Sequence, residues 1–473
     1  MEPQRAMNAP GRTPPSALRA RHPLGWLVGC ALVAWLAAGQ ALARLVVMHG
    51  PAELTSAVLW IQTDAPGPVS VQWRAGGDGA LRSAAFAASA ATDNVVVARL
   101  TGLAPGERTG YRVEAGGESF EGTVRAQPWW DKAADAPPVT IAIGSCFFLA
   151  DADARWSDPG YGGEYEIFDS IAAAAPDLML WLGDNVYLQR PDFMDPASMA
   201  ERYRRQRAFA PLQRLLTTAP QLAIWDDHDY GPNDSDASYV LKGETLKLFQ
   251  RYWPNPSYGL PELPGAFGFA QYGDVLFFLL DDRTYRSPNR WPDGEDKTMF
   301  GARQLEWLKQ ALTYAPRNSI KIVAGGNQFW NRATRFEGWK HFRTEQQAFA
   351  EWLVRHEIEG VIFLSGDRHF GELLRIERPD AYPLYEFTSS PLTSRPPSRI
   401  DKAEQENPDL VPGTLVNRRQ FGLIRVSGPS GRREIRFGAY DARGVSLWTH
   451  DIRASDLRLP RTGARSSATV TAP

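Results

Sequence analysis

Between residues 138 and 454, apolar runs of strand length alternate with helical stretches, and nearly every run stops on a residue that can bind a metal ion. The runs are VTIAIGSC (139–146), DLMLWLGD (177–184), QLAIWDD (221–227), VLFFLLDD (275–282), IKIVAGGN (320–327) and GVIFLSGD (360–367). Helical stretches are predicted at 164–175, 197–216, 301–313 and 344–358. Such alternation predicts an α/β layered fold with a largely buried sheet. In open α/β sheets the ligand site lies beyond the carboxyl ends of the strands. There the chain presents Cys146, Asp184, Asp226-Asp227-His228-Asp229, Asp281-Asp282, Asn327-Gln328 and Asp367-Arg368-His369. One Asp at a strand end is commonly a turn or cap residue. So many ends together point to a metal or catalytic site.

The ligand types sort into two sets. Gly183-Asp184 and Gly366-Asp367 each place a carboxylate directly after a glycine, where the backbone turns sharply. Tyr187 follows Asp184 at i+3, so a tight turn aims both oxygens at one centre. Cys146, Tyr187, Asp184 and His369 around one ion favour a transition metal, iron ahead of zinc. Asp184, Asp227 and Asp367 form an all-oxygen set suited to calcium, magnesium or manganese, and Asp184 is placed to bridge the two. A metal pair about 3.5–4 Å apart activates water and clamps a phosphoryl group in line. His228, with acids on both sides, is poised to protonate a leaving oxygen. The structural alternatives are a small buried hydrophobe for Cys146, a surface histidine for His228 and a packing tyrosine for Tyr187.

Residues 1–23 carry Arg5, Arg12, Arg19 and Arg21 against one acid, Glu2, and precede a 20-residue apolar run, 24–43, ending Ala41-Leu42-Ala43. This is the pattern of a secretory signal peptide (1–43) cleaved after Ala43. An uncleaved membrane anchor is the alternative, and Leu27-Val28-Gly29-Cys30 sits too early in the run for a lipoprotein box. The chain is thus expected to be periplasmic or secreted, with no stable membrane insertion after cleavage. Of the two cysteines, cleavage removes Cys30 and leaves Cys146 without an intramolecular disulfide partner. With 52 basic against 54 acidic residues there is no basic excess of the kind nucleic-acid binders show. No oligomeric state is signalled.

Residues 44–128 have a different rhythm. Short alternating runs (SAVLWIQT, VSVQWRA, NVVVARL, YRVEAGG, FEGTVRAQ) separated by Gly-, Pro- and Asp-rich turns predict an antiparallel β-sandwich. Leu100-Thr101-Gly102-Leu103-Ala104-Pro105-Gly106, followed by Tyr111-Arg112-Val113, resembles the turn into a late strand of fibronectin type III domains. A linker at 129–137 separates this part from a catalytic region, 138–454, and a loose tail is expected over 455–473.

The motifs G-S-C (144–146), G-D-N-V-Y (183–187), W-D-D-H-D (225–229) and S-G-D-R-H (365–369), in that order, resemble those of PhoD-type alkaline phosphatases and phosphodiesterases. These belong to the calcineurin-like metallophosphoesterase superfamily. The resemblance implies a layered metallophosphoesterase-type β-sandwich flanked by helices and preceded by a smaller fibronectin-III-like all-β domain. It implies iron (Fe3+) on Cys146, Asp184, Tyr187 and His369, and calcium on Asp184 and Asp367. Asp227, or alternatively Asn233, takes the place of the superfamily's metal-binding asparagine. His228 becomes the general acid, and Arg368 faces phosphate. Two features depart from the pattern. The signal lacks the adjacent arginines of the twin-arginine type, so iron loading would follow translocation. Asn327-Gln328 stands where the wider superfamily has a metal-binding histidine, as in a PhoD-like rather than a purple-acid-phosphatase-like site.

The expected activity is hydrolysis of a phosphate ester substrate by metal-bound hydroxide, for phosphate scavenging. The alternatives are action on a larger diester such as a phospholipid, a cell-wall polymer or a nucleotide, with Trp291, Trp330, Trp339 and the 283–300 loop lining a groove, and a non-catalytic adhesin with structural metals.

Overall fold

The computed structural model describes residues 44–76, 79–150 and 160–460; the predicted signal segment and all but the first residues of the predicted tail lie outside the described residues. Seven strands come first: β1 (Leu45–Ala52), β2 (Ser56–Thr63), β3 (Gly67–Arg74), β4 (Leu81–Ala88), β5 (Val95–Thr101), β6 (Arg108–Ala115) and β7 (Glu118–Arg125). They form antiparallel sheets of order β1-β2-β5 and β4-β3-β6-β7. Alternate residues such as Leu59, Ile61, Val69, Val71 and Val113 make a shared core. Two of these strands escaped the sequence reading. In β1 both faces are buried, Val47 in the sandwich core and Val46 and Met48 against the catalytic region, so no alternation shows. β4 is an alanine-rich edge, largely exposed.

Twelve strands follow: β8 (Val139–Gly144), β9 (Leu178–Leu182), β10 (Gln221–Ile224), β11 (Gly268–Tyr272), β12 (Val275–Leu279), β13 (Ile320–Ala324), β14 (Val361–Ser365), β15 (Glu372–Ile376), β16 (Leu384–Thr388), β17 (Gln420–Ser427), β18 (Glu434–Asp441) and β19 (Ser446–Arg453). They build two six-stranded sheets, β10-β9-β8-β17-β18-β19 and β11-β12-β13-β14-β16-β15. The six predicted runs divide equally, three parallel strands in each sheet, instead of sharing one. Ile141, Ile143, Leu178, Leu180 and Leu182 pack with Phe277, Leu279 and Ile322 of the opposite sheet. Their neighbours Ala142, Met179, Trp181 and Ala223 face a second core with helices and the N-terminal strands. Burial on both faces is why these runs are continuously apolar.

The predicted helix 197–216 is interrupted. Asp195 caps Pro196–Arg207 by accepting from Ala197 N at 3.1 Å, and Ala210–Leu212 and Gln213–Leu216 are separate short turns. Pro211, lacking an N–H, suits the first turn of a new segment. The expected loose tail begins with the turn Ala454–Leu457, in which Leu457 is fully buried. Among the described residues no helix is long and apolar enough to cross a membrane.

Candidate metal centre

The carboxyl ends of β8, β9 and β14 meet. Cys146 N donates to Gly183 O (3.2 Å), and a Cβ on Gly366 would lie 2.3 Å from Leu182 O and 2.6 Å from the Ser145 Cβ. Only glycine permits that approach. Immediately past the strands Cys146 (φ +60°), Asp184 (+51°), Asp367 (+65°) and His369 (+55°) all adopt the left-handed conformation. That conformation is uncommon for such residues and costs of order 1–3 kcal/mol each. The side chains of Cys146, Asp184 and His369 meet there, while that of Asp367 faces the cavity.

Ligand atoms of Cys146, Asp184 and His369 lie within 4.8 Å of one another. Cys146 Sγ is 3.5 Å from Asp184 Oδ2 and accepts from Ser390 Oγ at 3.1 Å. Tyr187 Oη is 3.1 Å from both Asp184 Oδ2 and His369 Nε2, and Ser394 Oγ donates to it at 3.0 Å. His369 Nδ1 lies 3.0 Å from the Arg395 carbonyl. A carbonyl only accepts, so the proton sits on Nδ1 and the Nε2 lone pair faces the cluster, the arrangement typical of a ligating histidine.

Asp184 also belongs to a second set with Asp227 and His228, again within 4.8 Å. Asp184 Oδ1 accepts from His228 N (3.3 Å), and Asp227 Oδ2 accepts from Asp234 N (2.7 Å). Asp227 Oδ1 and His228 Nδ1 are buried with no hydrogen-bond partner. The His228 ring stacks on Tyr187 at 4.2 Å. Asp367 is outside both sets; its carboxylate faces the cavity, 3.8 Å from Arg368. Asn233 is an exposed residue of the cavity lining.

Burial pushes the Asp184 carboxyl well above its usual range, with Cys146, Asp227 and Asp367 adding repulsion. Burial likewise pushes Cys146 up to about 12 and Asp367 up to about 7. His369 is lowered to about 4, first by burial, and so is neutral. A bound cation inverts this logic, because it stabilises thiolate and carboxylates together. Crowded acids, orphaned buried acceptors and a neutral imidazole fit metal ions.

Not every strand-end acid belongs to the site. Asp281 accepts from Trp225 Nε1, Ala266 N, Thr284 N and Thr284 Oγ1, which pins the loop after β12. Asp226 pairs with the fully buried Arg283, and Asp229 accepts from the backbone N–H groups of Asn185, Val186 and Asp226. Asn327 Nδ2 bonds Asp226 (3.0 Å), and Gln328 turns away to Glu372 (2.7 Å). A third acidic group, Asp227, Asp234 and Glu337, went unread in the sequence. Its Glu337 is engaged by Arg283 (2.8 Å) and Arg286 (3.0 Å). Ser390 and Ser394, which bond Cys146 and Tyr187, were also missed, because nothing in their local sequence marks them. Of the alternative groove, the 283–300 loop reaches the cavity through Asn289 and Arg290, but the tryptophans do not: Trp330 and Trp339 are buried in the core against Phe363 and Phe349, and exposed Trp291 is not in the cavity lining.

Asp184, His228, Asp367, Arg368 and His369 line a cavity of about 800 Å³. Arg368 packs over Phe336 (4.3 Å to the ring centroid), 3.7 Å from Glu404, and its buried Nε has no partner.

The family model of PhoD-like phosphatases matches residues 145–436. A solved structure of PhoD superposes with a TM-score of 0.70 at 18% identity, covering 88% of this chain and 92% of that one. A purple acid phosphatase from yellow lupin (Lupinus luteus) seeds gives 0.59 at 11% identity, covering 90% and 78%. Comparison with curated proteins finds no match.

Proposed function

The chain belongs to the PhoD-like phosphatase family and is a phosphoric ester hydrolase, and we propose that it is exported, acts on phosphomonoesters, phosphodiesters or both, and serves phosphate scavenging. With family membership the adhesin alternative falls away. One observation carries the site assignment: Asp184 belongs to both ligand sets, at the end of a cavity open to substrate. In this reading Cys146, Tyr187, His369 and Asp184 hold iron (Fe3+). Asp184, Asp227 and Asp367 hold calcium or another hard divalent ion. Asp227 is preferred to Asn233 because its Oδ1 is buried and unpartnered while Asn233 is exposed. When bound, the ions supply Lewis acidity towards phosphoryl oxygens and activate water.

The chain's own groups do the rest. The unpartnered Nε of Arg368 is a donor for a phosphate oxygen. Glu404 and Phe336 hold that guanidinium in the cavity wall. His228 is offered to the leaving oxygen; burial lowers its pKa while Asp227 opposes the drop. Tyr187, stacked against it, fixes the imidazole plane.

Purified protein assayed on p-nitrophenyl phosphate and its bis ester, alongside elemental analysis, is expected to hydrolyse at least one of them. A fully metallated protein inactive on both overturns the reading. Export predicts a mature N-terminus at Arg44, which N-terminal sequencing of the exported protein reads.

A further inference from the structure

The cavity is far larger than one phosphate requires, and its charges are unevenly distributed. Asp184 and Glu337 are buried and Asp367 is part-buried, whereas the arginines Arg290, Arg335 and Arg399 stand exposed around the mouth, where Asp234 is an exposed acid. Arg335 is steadied by Asp401 at 2.8 Å. Arg290 and Arg399 have no ion-pair partner among the described residues. Half-exposed Phe336 connects the inner and outer arginines. The Arg368 guanidinium lies 4.3 Å from its ring centroid and that of Arg335 5.0 Å, so the two are no farther apart than the sum of those distances. An inner cation, an apolar ring and an outer cation thus run from the floor to the mouth.

We propose that Arg335 and Arg399, with Arg290, form a second anion subsite that takes a non-scissile phosphate, so that the enzyme prefers substrates bearing two phosphate groups joined by a short carbon chain. The proposal rests on the phosphoesterase reading of the same cavity. A monoester's single phosphate is drawn to the metal-binding floor and gains nothing from the rim. A second phosphate meets Arg290 and Arg399, which no carboxylate among the described residues pairs, and shares Arg335 with Asp401, while its linking carbons lie over Phe336. Exposed ion pairs contribute about 0.2–1 kcal/mol each, so two or three give about a tenfold preference at low salt.

The test is calorimetric binding of butane-1,4-diyl bisphosphonate and of butylphosphonate to the whole protein at low ionic strength, beside turnover of p-nitrophenyl phosphate. The bisphosphonate should bind about tenfold tighter. In Arg335→Ala/Arg399→Ala the gap should fall below about twofold with p-nitrophenyl phosphate turnover retained, and Asp401→Asn, which frees Arg335, should widen it. Equal affinities in the parent protein, or a gap that survives the double substitution, would overturn the subsite. A gap intact without any turnover would instead sink the phosphatase reading and leave the subsite standing.

Discussion

Asp184 is the residue on which the centre turns. Its two oxygens face different sets, Oδ2 towards Cys146 and Tyr187 and Oδ1 towards the backbone of His228. The left-handed turn after Gly183 is what allows this. Gly183 itself has φ +87°, and a Cβ there would meet the Asp226 Cβ at 2.6 Å. Cys146 is the chain's only thiol outside the predicted signal segment, and it is fully buried. Cys146→Ser is therefore expected to lose stoichiometric iron in elemental analysis; retained iron would remove the thiol from the site. His228→Ala should lower kcat about 10²- to 10⁴-fold, the usual worth of a positioned proton donor, with iron content unchanged. An unaltered kcat would assign the leaving-group proton elsewhere.

At the scale of elements, the ends of β8, β9, β10 and β14 were legible because a buried parallel strand is a continuous apolar run that stops abruptly at a polar residue. β15 and β16 were not legible, and with them a buried network stayed hidden. Glu386 on β16 accepts from Phe329 N, Trp330 N and Ser365 Oγ, so it anchors the loop after β13. Glu372 on β15 accepts from Gln328 and Asn331. These partners are brought together only by the second sheet's strand order. Burial raises the Glu372 carboxyl to about 8, with Glu404 adding repulsion, and burial raises Glu386 to about 7, both from an ordinary 4.5. Between pH 4.5 and those values the folded state holds protons that the unfolded chain has released, so stability falls as pH rises through that window. Denaturant melts across pH 5 to 9 should show this fall, and Glu372→Gln should flatten its upper part. A pH slope unchanged in the variant would contradict the assignment.

At the scale of the whole molecule, the N-terminal strands and the catalytic sheets share apolar core. Trp60, fully buried on β2, packs in one cluster with Trp181 and Trp253 and donates to Arg251 O at 2.7 Å, while Arg251 pairs with Asp93. The expected linker is also pinned: Ser430 N bonds Ala133 O (2.8 Å), and Arg433 donates to Pro137 O (3.0 Å). Trp60→Ala should therefore cost about 3–5 kcal/mol and lower the whole unfolding transition by calorimetry. A separate early transition that leaves the catalytic region untouched would show two independent units. Two metal ions sharing Asp184 would be seen by anomalous diffraction on either side of the iron edge, using crystals of protein purified without chelators. An iron peak bonded to Cys146 Sγ, Asp184 and His369 Nε2 is expected, with a second, iron-free peak across Asp184 beside Asp227. Fully occupied metal with no contact to Cys146, or a single ion that leaves Asp227 unligated, would contradict it.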